Sequence, residues 1–197
     1  MGFSCSFLAA KGRSKAEILE SLGWSDSGVA VEWPEGRDTF CADLPGGWIV
    51  VWSNDYDYVT KALLAAASNG GEAVGWRVEE HVMVSDAWGF RDGTEIWSIF
   101  YDCEKHQSGG LAASGELPAE FAGILEVARA EQAEKDDADY VYDVPADVAA
   151  ALCGFRYDQL EFDWGAPAFT ALRRLPSGGG RDTSKKESFF GKLFGGR

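Results

Sequence analysis

The fold depends first on the stretch from Glu72 to Cys103, which reads EAVGWRVEEHVMVSDAWGFRDGTEIWSIFYDC. Within it, two runs rich in Val, Ile, Trp, Phe and Tyr flank the turn sequence Arg91-Asp92-Gly93-Thr94. Asp-Gly is a preferred pair for a two-residue type I′ turn, because both central residues of that turn need a positive φ. The sequence therefore predicts a β-hairpin at this turn, within two or three consecutive strands.

The turn also predicts which residues of the hairpin face each other. A two-residue loop would pair Arg91 with Thr94 and, further along both strands, Trp88 with Trp97. A cross-strand aromatic pair stabilises a sheet by roughly 0.2–1 kcal/mol relative to an Ala pair. Both faces of the hairpin are largely apolar, as is typical of strands at the centre of a sheet. We therefore expect Trp88 and Trp97 to be neighbours on one face of a central hairpin.

Upstream of the hairpin, the pattern indicates strands and two helices. Alternation predicts a strand over residues 2–9, and Ser14-Lys15-Ala16-Glu17 fits a capping box that begins a helix. A second helix is expected from Asn54 or Asp55 to about Ala67. Short strands are predicted between the helices near Gly28–Trp33, Thr39–Ala42 and Trp48–Ser53. This order resembles one β-α-β-β unit used twice, side by side, which predicts an α+β fold with a mainly antiparallel sheet and both helices on one face.

Downstream of residue 110 the pattern changes towards helix. Apolar residues recur at helical spacing after Pro118, and Pro145 opens a second short helix that stops before Gly154. Alternation over residues 160–164 predicts one more half-buried strand. We expect a helical C-terminal region to follow the two units.

The composition divides the chain into a domain and a tail. We expect a single α+β domain over residues 1–175, with a sheet-rich part at 1–110 and a helix-rich extension at 111–175. Residues 176–197 begin with the Gly-rich sequence PSGGG, which is typical of a flexible linker, and continue as a basic tail.

The net charge of −14 on 197 residues is unevenly distributed. Residues 173–197 carry seven basic side chains against two acidic ones, so the rest of the chain is more acidic than the total suggests. An acidic surface repels nucleic-acid phosphates and attracts basic partners. We therefore expect another protein as the partner and no nucleic acid, whereas the oligomeric state stays open.

The sequence shows no pattern of export, membrane insertion or metal binding. No run approaches the 18 apolar residues of a membrane span, and the residues after Met1 lack the pattern of a signal peptide. The cysteines are far apart in apolar surroundings, which favours four reduced thiols over a disulfide framework; they are Cys5, Cys41, Cys103 and Cys153. We therefore expect a cytoplasmic protein without a metal site or a cofactor.

Glu79-Glu80-His81 is the candidate for catalysis, because an imidazole beside carboxylates can do acid–base chemistry near neutral pH. Adjacent residues on a strand point to opposite faces, so only Glu79 and His81 would share one side. The spacing matches no catalytic or metal motif, and a solvated strand end is the ordinary alternative. Glu79 and His81 would carry the reaction if the protein is a small hydrolase or a ligand-binding enzyme.

A basic loop is the candidate for anion binding. Lys11, Arg13 and Lys15 lie between a predicted strand and a predicted helix N-terminus, where free amides attract anions. The loop lacks the glycine pattern of a phosphate-binding loop, so an ordinary polar loop with a capping box is the alternative.

Aromatic side chains provide the candidates for partner contacts. Tryptophan is more often a core residue, but partly exposed aromatic side chains are favoured at protein interfaces. The candidates for a partner-binding surface are Trp33, Trp48, Trp52, Trp76 and Trp88.

The tail adds a second set of candidate contacts. Phe189, Phe190, Leu193 and Phe194 are spaced so that they would share one face of a helix, and lysines flank them. Basic amphipathic segments bind anionic membrane surfaces or partner grooves. We expect the tail to make a detachable contact with a membrane surface or a partner; association with the chain's own acidic body and a purely solvated end are the alternatives.

Three stretches of the chain, which together extend over roughly residues 72–160, resemble a family of uncharacterised bacterial proteins. They are WRVEEHVM at 76–83 through IWSIFYD at 96–102, GELPAEF at 115–121, and the segment from Asp143-Val144-Pro145 to Gly154-Phe155-Arg156-Tyr157-Asp158. The resemblance implies a bacterial, soluble, accessory protein and no particular activity.

The sequence as a whole favours a binding protein over an enzyme. Its charge asymmetry and aromatic content suit recognition, and an acidic face can steer association with a basic partner. The leading hypothesis is an accessory, regulatory or immunity-type interaction protein. The alternative hypothesis is the enzyme that uses Glu79 and His81.

Overall fold

The computed structural model describes residues 2–108, 110–135, 138–159 and 161–176, and within them the chain forms one nine-stranded antiparallel sheet. The strands are β1 (Ser4–Lys11), β2 (Trp24–Ala30), β3 (Thr39–Asp43), β4 (Ile49–Ser53), β5 (Glu72–Glu79), β6 (Val84–Arg91), β7 (Thr94–Asp102), β8 (Leu111–Gly115) and β9 (Thr170–Arg174). They are ordered β2-β9-β3-β4-β1-β5-β6-β7-β8 across the sheet. The predicted α+β class with an antiparallel sheet is confirmed.

Helices cover both faces of this sheet. The α-helices are α1 (Lys15–Ser21), α2 (Lys61–Ala67), α3 (Glu120–Glu134) and α4 (Val144–Cys153), and a short 3₁₀ helix (Tyr140–Asp143) leads into α4. The apolar sides of α1 and α2 share one buried cluster, whereas α4 and the 3₁₀ helix belong to a second cluster on the opposite face. Helix α3 packs on α4 and on the 3₁₀ helix, as an outer layer. None of the helices described is both long and apolar enough to cross a membrane.

Strand β1 lies at the centre of the sheet and is buried on both sides. Phe7 and Leu8 are both 0% exposed, and they belong to the two different clusters. The Phe7 ring stacks on Trp76, with ring centroids 5.0 Å apart and planes 17° apart. Phe155 and Tyr157, which follow α4, also pack on Phe7 at 6.1 and 5.6 Å. This aromatic cluster joins the segment after α4 to the middle of the sheet.

Two helix boundaries show how local chemistry sets the elements. The predicted capping box begins α1, since the Glu17 amide donates to the Ser14 side chain and Glu17 accepts from the Ser14 amide. The predicted start of α2 is wrong, because Thr60 is the N-cap. Asn54 lies instead in a loop, where it accepts from Trp52 Nε1 at 2.8 Å and donates to backbone carbonyls. Asp55 accepts from the Asp57 amide at 3.0 Å in that same loop.

The predicted hairpin turn is confirmed, but the predicted register is wrong. Asp92 and Gly93 have φ of 48° and 78°, as a type I′ turn requires, and Arg91 pairs with Thr94. The register shifts two residues later, so that Gly89 faces Trp97. Trp88 then faces Ser98, and the two tryptophans lie on opposite faces of the sheet.

The space above Gly89 explains this shift. A Cβ atom built on Gly89 would lie 2.0 Å from Trp97 Nε1, so the indole of Trp97 covers the position that a side chain would occupy. Ile96 is the extra residue of a β-bulge, and the bulge lets Trp97 face Gly89. A two-residue turn fixes only its nearest pair, and a bulge inside the strand changes all later ones.

The C-terminal part differs most from the sequence-based expectation. Strands β8 and β9 were not predicted, and the described residues 161–164 form a turn where a strand was expected. The rings of Phe162 and Trp164 stack at 4.9 Å, and Trp164 Nε1 donates to the Gly154 carbonyl at 3.2 Å. The alternating aromatic residues therefore cover the end of α4. Strand β9 is inserted between β2 and β3, where Arg174 pairs with Trp24 and Ala171 pairs with Phe40.

The cysteines are free, as the sequence predicts. Cys5, Cys41 and Cys153 are buried, and Cys103 is half-buried. Burial raises the pKa of Cys153 to about 12. Its thiol is therefore protonated at neutral pH and serves as a core side chain.

We predict that Gly89→Ala destabilises the protein by about 1–3 kcal/mol, because the new methyl group must displace the buried indole of Trp97. Urea unfolding monitored by tryptophan fluorescence measures the change. The control is Gly123→Ala in α3, where an added Cβ meets nothing within 4 Å. That control should be neutral or stabilising by up to about 1 kcal/mol, since Ala favours a helix. Equal unfolding midpoints for Gly89→Ala and the native protein would contradict the packing of the Trp97 indole over Gly89.

Candidate functional site

A groove of about 460 Å³ lies between α3 and α4 and is the candidate functional site. We call it the α3/α4 groove, and its lining residues are Gly123, Ile124, Val127, Ala128, Glu131, Tyr140, Asp143, Asp147 and Ala151. Pockets of this size, mostly apolar with a few charged groups, are typical of binding sites. The groove therefore has the dimensions and the chemistry of a recognition site.

The apolar part of the groove comes from a stripe along α3. Ile124, Val127 and Ala128 lie at i, i+3 and i+4, so they share one side of the helix. Val127 is 61% exposed, although apolar side chains along a helix normally face a core. Within α3 only Ala128 is fully buried, because the helix packs on α4 and the 3₁₀ helix and makes little contact with the sheet. Apolar surface is thus left open to a ligand.

Gly123 enlarges the groove at a cost to the helix. A glycine inside a helix costs about 1 kcal/mol relative to Ala. No packing contact demands it, because an added Cβ would meet nothing within 4 Å. The free space beside Gly123 is available to a bound side chain.

The acidic part of the groove is organised by one arginine. Asp143 and Asp147 lie four residues apart, at the start of α4, so both carboxylates point to the same side. Arg156 donates to Asp143 at 3.0 Å and to Asp158 at 2.7 Å, and it also pairs with Asp147. One cation therefore holds three carboxylates, and a net negative charge remains beside the apolar stripe.

Asp143 shows the electrostatic consequence of this crowding. Its half-buried position raises the pKa of the carboxyl above the ordinary Asp value, although the Arg156 guanidinium acts in the opposite direction. Asp158 and Glu80 add to the rise. A further cation brought by a ligand would lower this pKa and would be favoured by the same excess of negative charge.

The residues that line the groove belong to a strongly acidic stretch of the sequence. Residues 111–163 carry thirteen acidic side chains against three basic ones. Such a concentration raises the local density of cations and of basic segments, and the effect falls with ionic strength. The field of this region complements a basic ligand.

The structure brings the predicted pair Glu79 and His81 together at the end of β5. His81 Nδ1 lies 2.7 Å from Glu79 Oε1, and the Ser4 hydroxyl donates to the same carboxylate. Burial opposes ionisation, but the hydrogen bonds from Ser4 and His81 outweigh it and lower the pKa of Glu79. In a Ser-His-Asp triad the imidazole lies between the hydroxyl and the carboxylate. Here the carboxylate lies in the middle, so His81 is not placed to activate Ser4.

The three predicted anion-binding residues are engaged by acidic or carbonyl groups. The ion pairs are Lys11 with Glu72 at 3.2 Å, Lys15 with Asp26 at 2.8 Å, and Lys15 with Asp43 at 3.1 Å. Arg13 donates to the carbonyls of Ala66 and Ala67 at 3.0 and 2.8 Å, at the C-terminus of α2. These basic groups therefore tie the loop to its surroundings.

A second cavity, of about 310 Å³, includes Lys11 in its lining. Glu72 pairs there with both Lys11 and Arg91 at 3.2 Å, and Glu116 and Glu120 also line the cavity. An anion in this cavity would have to replace Glu72 and lie beside two further carboxylates. The arrangement does not favour anion binding.

The five candidate tryptophans do not form one surface. Trp48, Trp52 and Trp76 are buried in the core, with 6%, 1% and 1% of their surface exposed, so they are closed to a partner. Trp33 is half-buried and packs edge-on against Trp52 at 5.2 Å. Trp88 is half-buried on the opposite face of the sheet.

Trp88 already has a partner within the chain. The Arg77 guanidinium lies 4.9 Å from the Trp88 ring centroid and 4.4 Å from that of Tyr56. Arg77 Nη2 also pairs with Asp86 Oδ2 at 2.6 Å. The exposed aromatic surface expected at Trp88 is therefore largely used in an internal cation–π contact.

Residues 177–197 lie outside the described residues, and with them the predicted contacts Phe189, Phe190, Leu193 and Phe194. Among the residues that are described, no three His, Cys, Asp or Glu side chains are grouped so that they could hold a metal ion.

Sequence reasoning missed the residues of the α3/α4 groove as a site. A signal was present, since Ile124, Val127, Ala128 and Glu131 repeat at i, i+3, i+4 and i+7. At the start of α4 and within it, the groove residues Asp143, Asp147 and Ala151 are spaced four residues apart. Helical spacing alone is typical of a core stripe, so the pattern does not distinguish an open groove from a buried contact.

Comparison of this chain with protein-family models, with curated proteins and with solved structures finds no match. The assignment of function therefore depends on the site itself.

We predict that Arg156→Gln destabilises the protein by about 1–3 kcal/mol at pH 7, because it leaves Asp143, Asp147 and Asp158 without their common cation. Removing the guanidinium raises the pKa of Asp143 further. A carboxyl with a raised folded-state pKa favours folding once it is protonated, so the loss should shrink as the pH falls from 7 towards about 4. Urea unfolding at several pH values measures this dependence.

The matched control is Arg129→Gln, which removes the same charge from an exposed position of α3. It should change the unfolding free energy by less than about 0.5 kcal/mol. A loss for Arg156→Gln that is no larger than that of the control, or that grows as the pH falls, would show that Arg156 does not organise these carboxylates.

Proposed function

We propose that this protein is a binding protein whose α3/α4 groove receives a basic, amphipathic segment of another protein. The observation that carries the proposal is the combination of exposed Val127 with the carboxylates Asp143 and Asp147 in one groove. Amphipathic helices bind in this way, with apolar side chains in the groove and charged ones at its border. Burying one large apolar side chain contributes about 1.5–3 kcal/mol.

Electrostatics supports the choice of a basic ligand. A basic segment in the groove would meet Glu131, Asp143 and Asp147, which belong to a stretch of sequence with thirteen acidic side chains against three basic ones. Complementary potentials speed association and disfavour partners of the wrong charge. Phosphate-rich ligands are repelled by the same field, which supports a protein partner over nucleic acid.

The setting of this activity is also part of the proposal. A regulatory or immunity-type protein of the bacterial cytoplasm suits an acidic groove that neutralises a basic partner. We also infer that the sheet derives from two β-α-β-β units, followed by a helical C-terminal region. The placement of α1 and α2 in one buried cluster supports this inference.

The alternative function is a hydrolase or small-ligand enzyme that uses Glu79 and His81. Their contact of 2.7 Å favours it, since a carboxylate can orient an imidazole that acts as a general base. Ester hydrolysis, measured with p-nitrophenyl acetate, distinguishes the two functions. Turnover that is lost in His81→Gln and retained in Val127→Asp would support the enzyme; equal background rates in all three proteins would count against it.

We predict that Val127→Asp weakens the binding of a synthetic Leu/Lys amphipathic peptide by at least tenfold, because a charge replaces apolar surface in the groove. Fluorescence anisotropy measures the affinity at two salt concentrations, and added salt should also weaken binding. The matched control is Val29→Asp, since Val29 is 59% exposed and lies on edge strand β2. Equal loss in both variants would mean that the peptide binds the acidic surface without using the groove.

A second experiment tests the natural partner. A photo-reactive amino acid placed at position 127 in the full chain should cross-link in cells to a protein that carries a basic amphipathic segment, and the same probe at position 29 should not. The synthetic segment of the protein so identified should then bind the purified chain and lose affinity in Val127→Asp. A partner that attaches equally to both probes would count against the groove.

A further inference from the structure

The chain itself contains a segment with the chemistry that the α3/α4 groove selects. Residues 185–194 read KKESFFGKLF. Three lysines and one glutamate give the segment a net positive charge, and four large apolar side chains accompany them. Each property has its counterpart in the groove, where the carboxylates of Glu131, Asp143 and Asp147 line the same groove as the exposed side chain of Val127.

From this complementarity we propose that residues 185–194 occupy the α3/α4 groove of their own chain and compete there with the partner. The inference rests on the proposed function of the groove. It adds a means of regulation, because the partner must displace the tail before it binds.

The direction of β9 brings the chain to the edge of the sheet that lies near the groove. Four antiparallel pairings separate β9 from β5, so the two strands run in the same direction and end at the same edge. Strand β6 begins at this edge, where the Ser85 hydroxyl donates to the Tyr142 carbonyl at 2.6 Å. Tyr142 belongs to the 3₁₀ helix whose Tyr140 and Asp143 line the groove. The chain therefore leaves β9 on the side of the molecule where the groove ends.

The segment between β9 and residue 185 is long enough for this contact. Strand β6, which contacts the 3₁₀ helix beside the groove, is five strand spacings from β9. Five spacings of about 4.8 Å give a lateral distance of about 24 Å, and one helix layer adds a height of about 10 Å, so the straight distance is about 26 Å. The nine Cα–Cα steps from Pro176 to Lys185 span up to about 30 Å at about 3.3 Å per step. The tail can reach the groove of its own chain.

Tethering makes even a weak contact effective. A short linker holds its segment at an effective concentration in the mM range. A segment that binds with a Kd of about 100 μM would then occupy the groove most of the time and lower the apparent affinity of a free competitor about tenfold. Regulation therefore requires no tight binding.

The first test compares full-length proteins that differ only in the tail. The probe is a labelled synthetic peptide of residues 181–197, and its affinity is measured by fluorescence anisotropy. In Phe190→Ser/Leu193→Ser the tail loses two apolar contacts without a change of charge, so the free peptide should bind about tenfold more tightly than it binds the native chain. The control is Thr183→Ala/Ser184→Ala, outside the apolar positions, which should leave the affinity unchanged.

The outcomes separate this inference from the function on which it rests. If the peptide binds both tail variants and the native chain equally, and Val127→Asp still abolishes binding, the groove accepts basic segments but the tail does not occupy it. If the peptide binds none of these proteins, the tail is not a ligand of the groove, and the Leu/Lys peptide alone decides the proposed function.

The second test locates the tail directly. A photo-reactive amino acid at position 190 of the full chain should cross-link to peptides of α3 or α4 in a species that remains monomeric on a denaturing gel. The cross-link should disappear in Val127→Asp and persist in Val29→Asp. Cross-links between two chains would place the tail in the groove of a second copy, and cross-links spread over other surfaces would place it elsewhere; either result would overturn the proposal.

Discussion

The packing of Phe7 at the centre of the sheet is the interaction on which the rest of the structure depends. Its ring stacks on Trp76 from the neighbouring strand and is covered by Phe155 and Tyr157 from the segment after α4. Arg156 lies between those two aromatic residues in the sequence, so their burial fixes the direction in which the guanidinium points. The ion pairs of the acidic groove therefore depend on an aromatic contact in the core. A change at Phe7 would alter the electrostatics of the groove as well as the stability of the sheet.

The fold could be predicted where a few neighbouring residues decide the conformation. Asp92-Gly93 specified the hairpin turn because positive φ is a property of those residues themselves. The register beyond the turn could not be predicted, because it depends on how the Trp97 indole covers Gly89. Strand β8, LAASG, lacks β-branched residues, and β9 forms by pairing with strands far away in the sequence. Elements that depend on distant partners leave little local signal.

The candidate site was less predictable than the fold. The acidic character of the groove could be predicted, because the excess of acidic residues over 111–163 is visible in the sequence. The aromatic candidates were misleading in part, because Trp52 and Trp76 serve the core. The groove is open because α3 packs on α4 and makes little contact with the sheet. The helical spacing of apolar residues in the sequence does not reveal how far a helix lies from the sheet. In the sequence, Val127 has the spacing of a core residue. In the structure, none of the described residues forms a layer that would bury it.

The position of β9 has a consequence for how the protein matures on the ribosome. Strands β2 and β3 are close in sequence, but they are held apart in the sheet by β9, which lies far downstream of both. During synthesis the earlier strands emerge first, and β2 has no neighbour to pair with until residues 170–174 are made. The edge of β3 that later accepts β9 is exposed throughout that time. The nascent protein therefore carries an open sheet edge that closes only after residues 170–174 have emerged, and until then a chaperone would have that edge to protect.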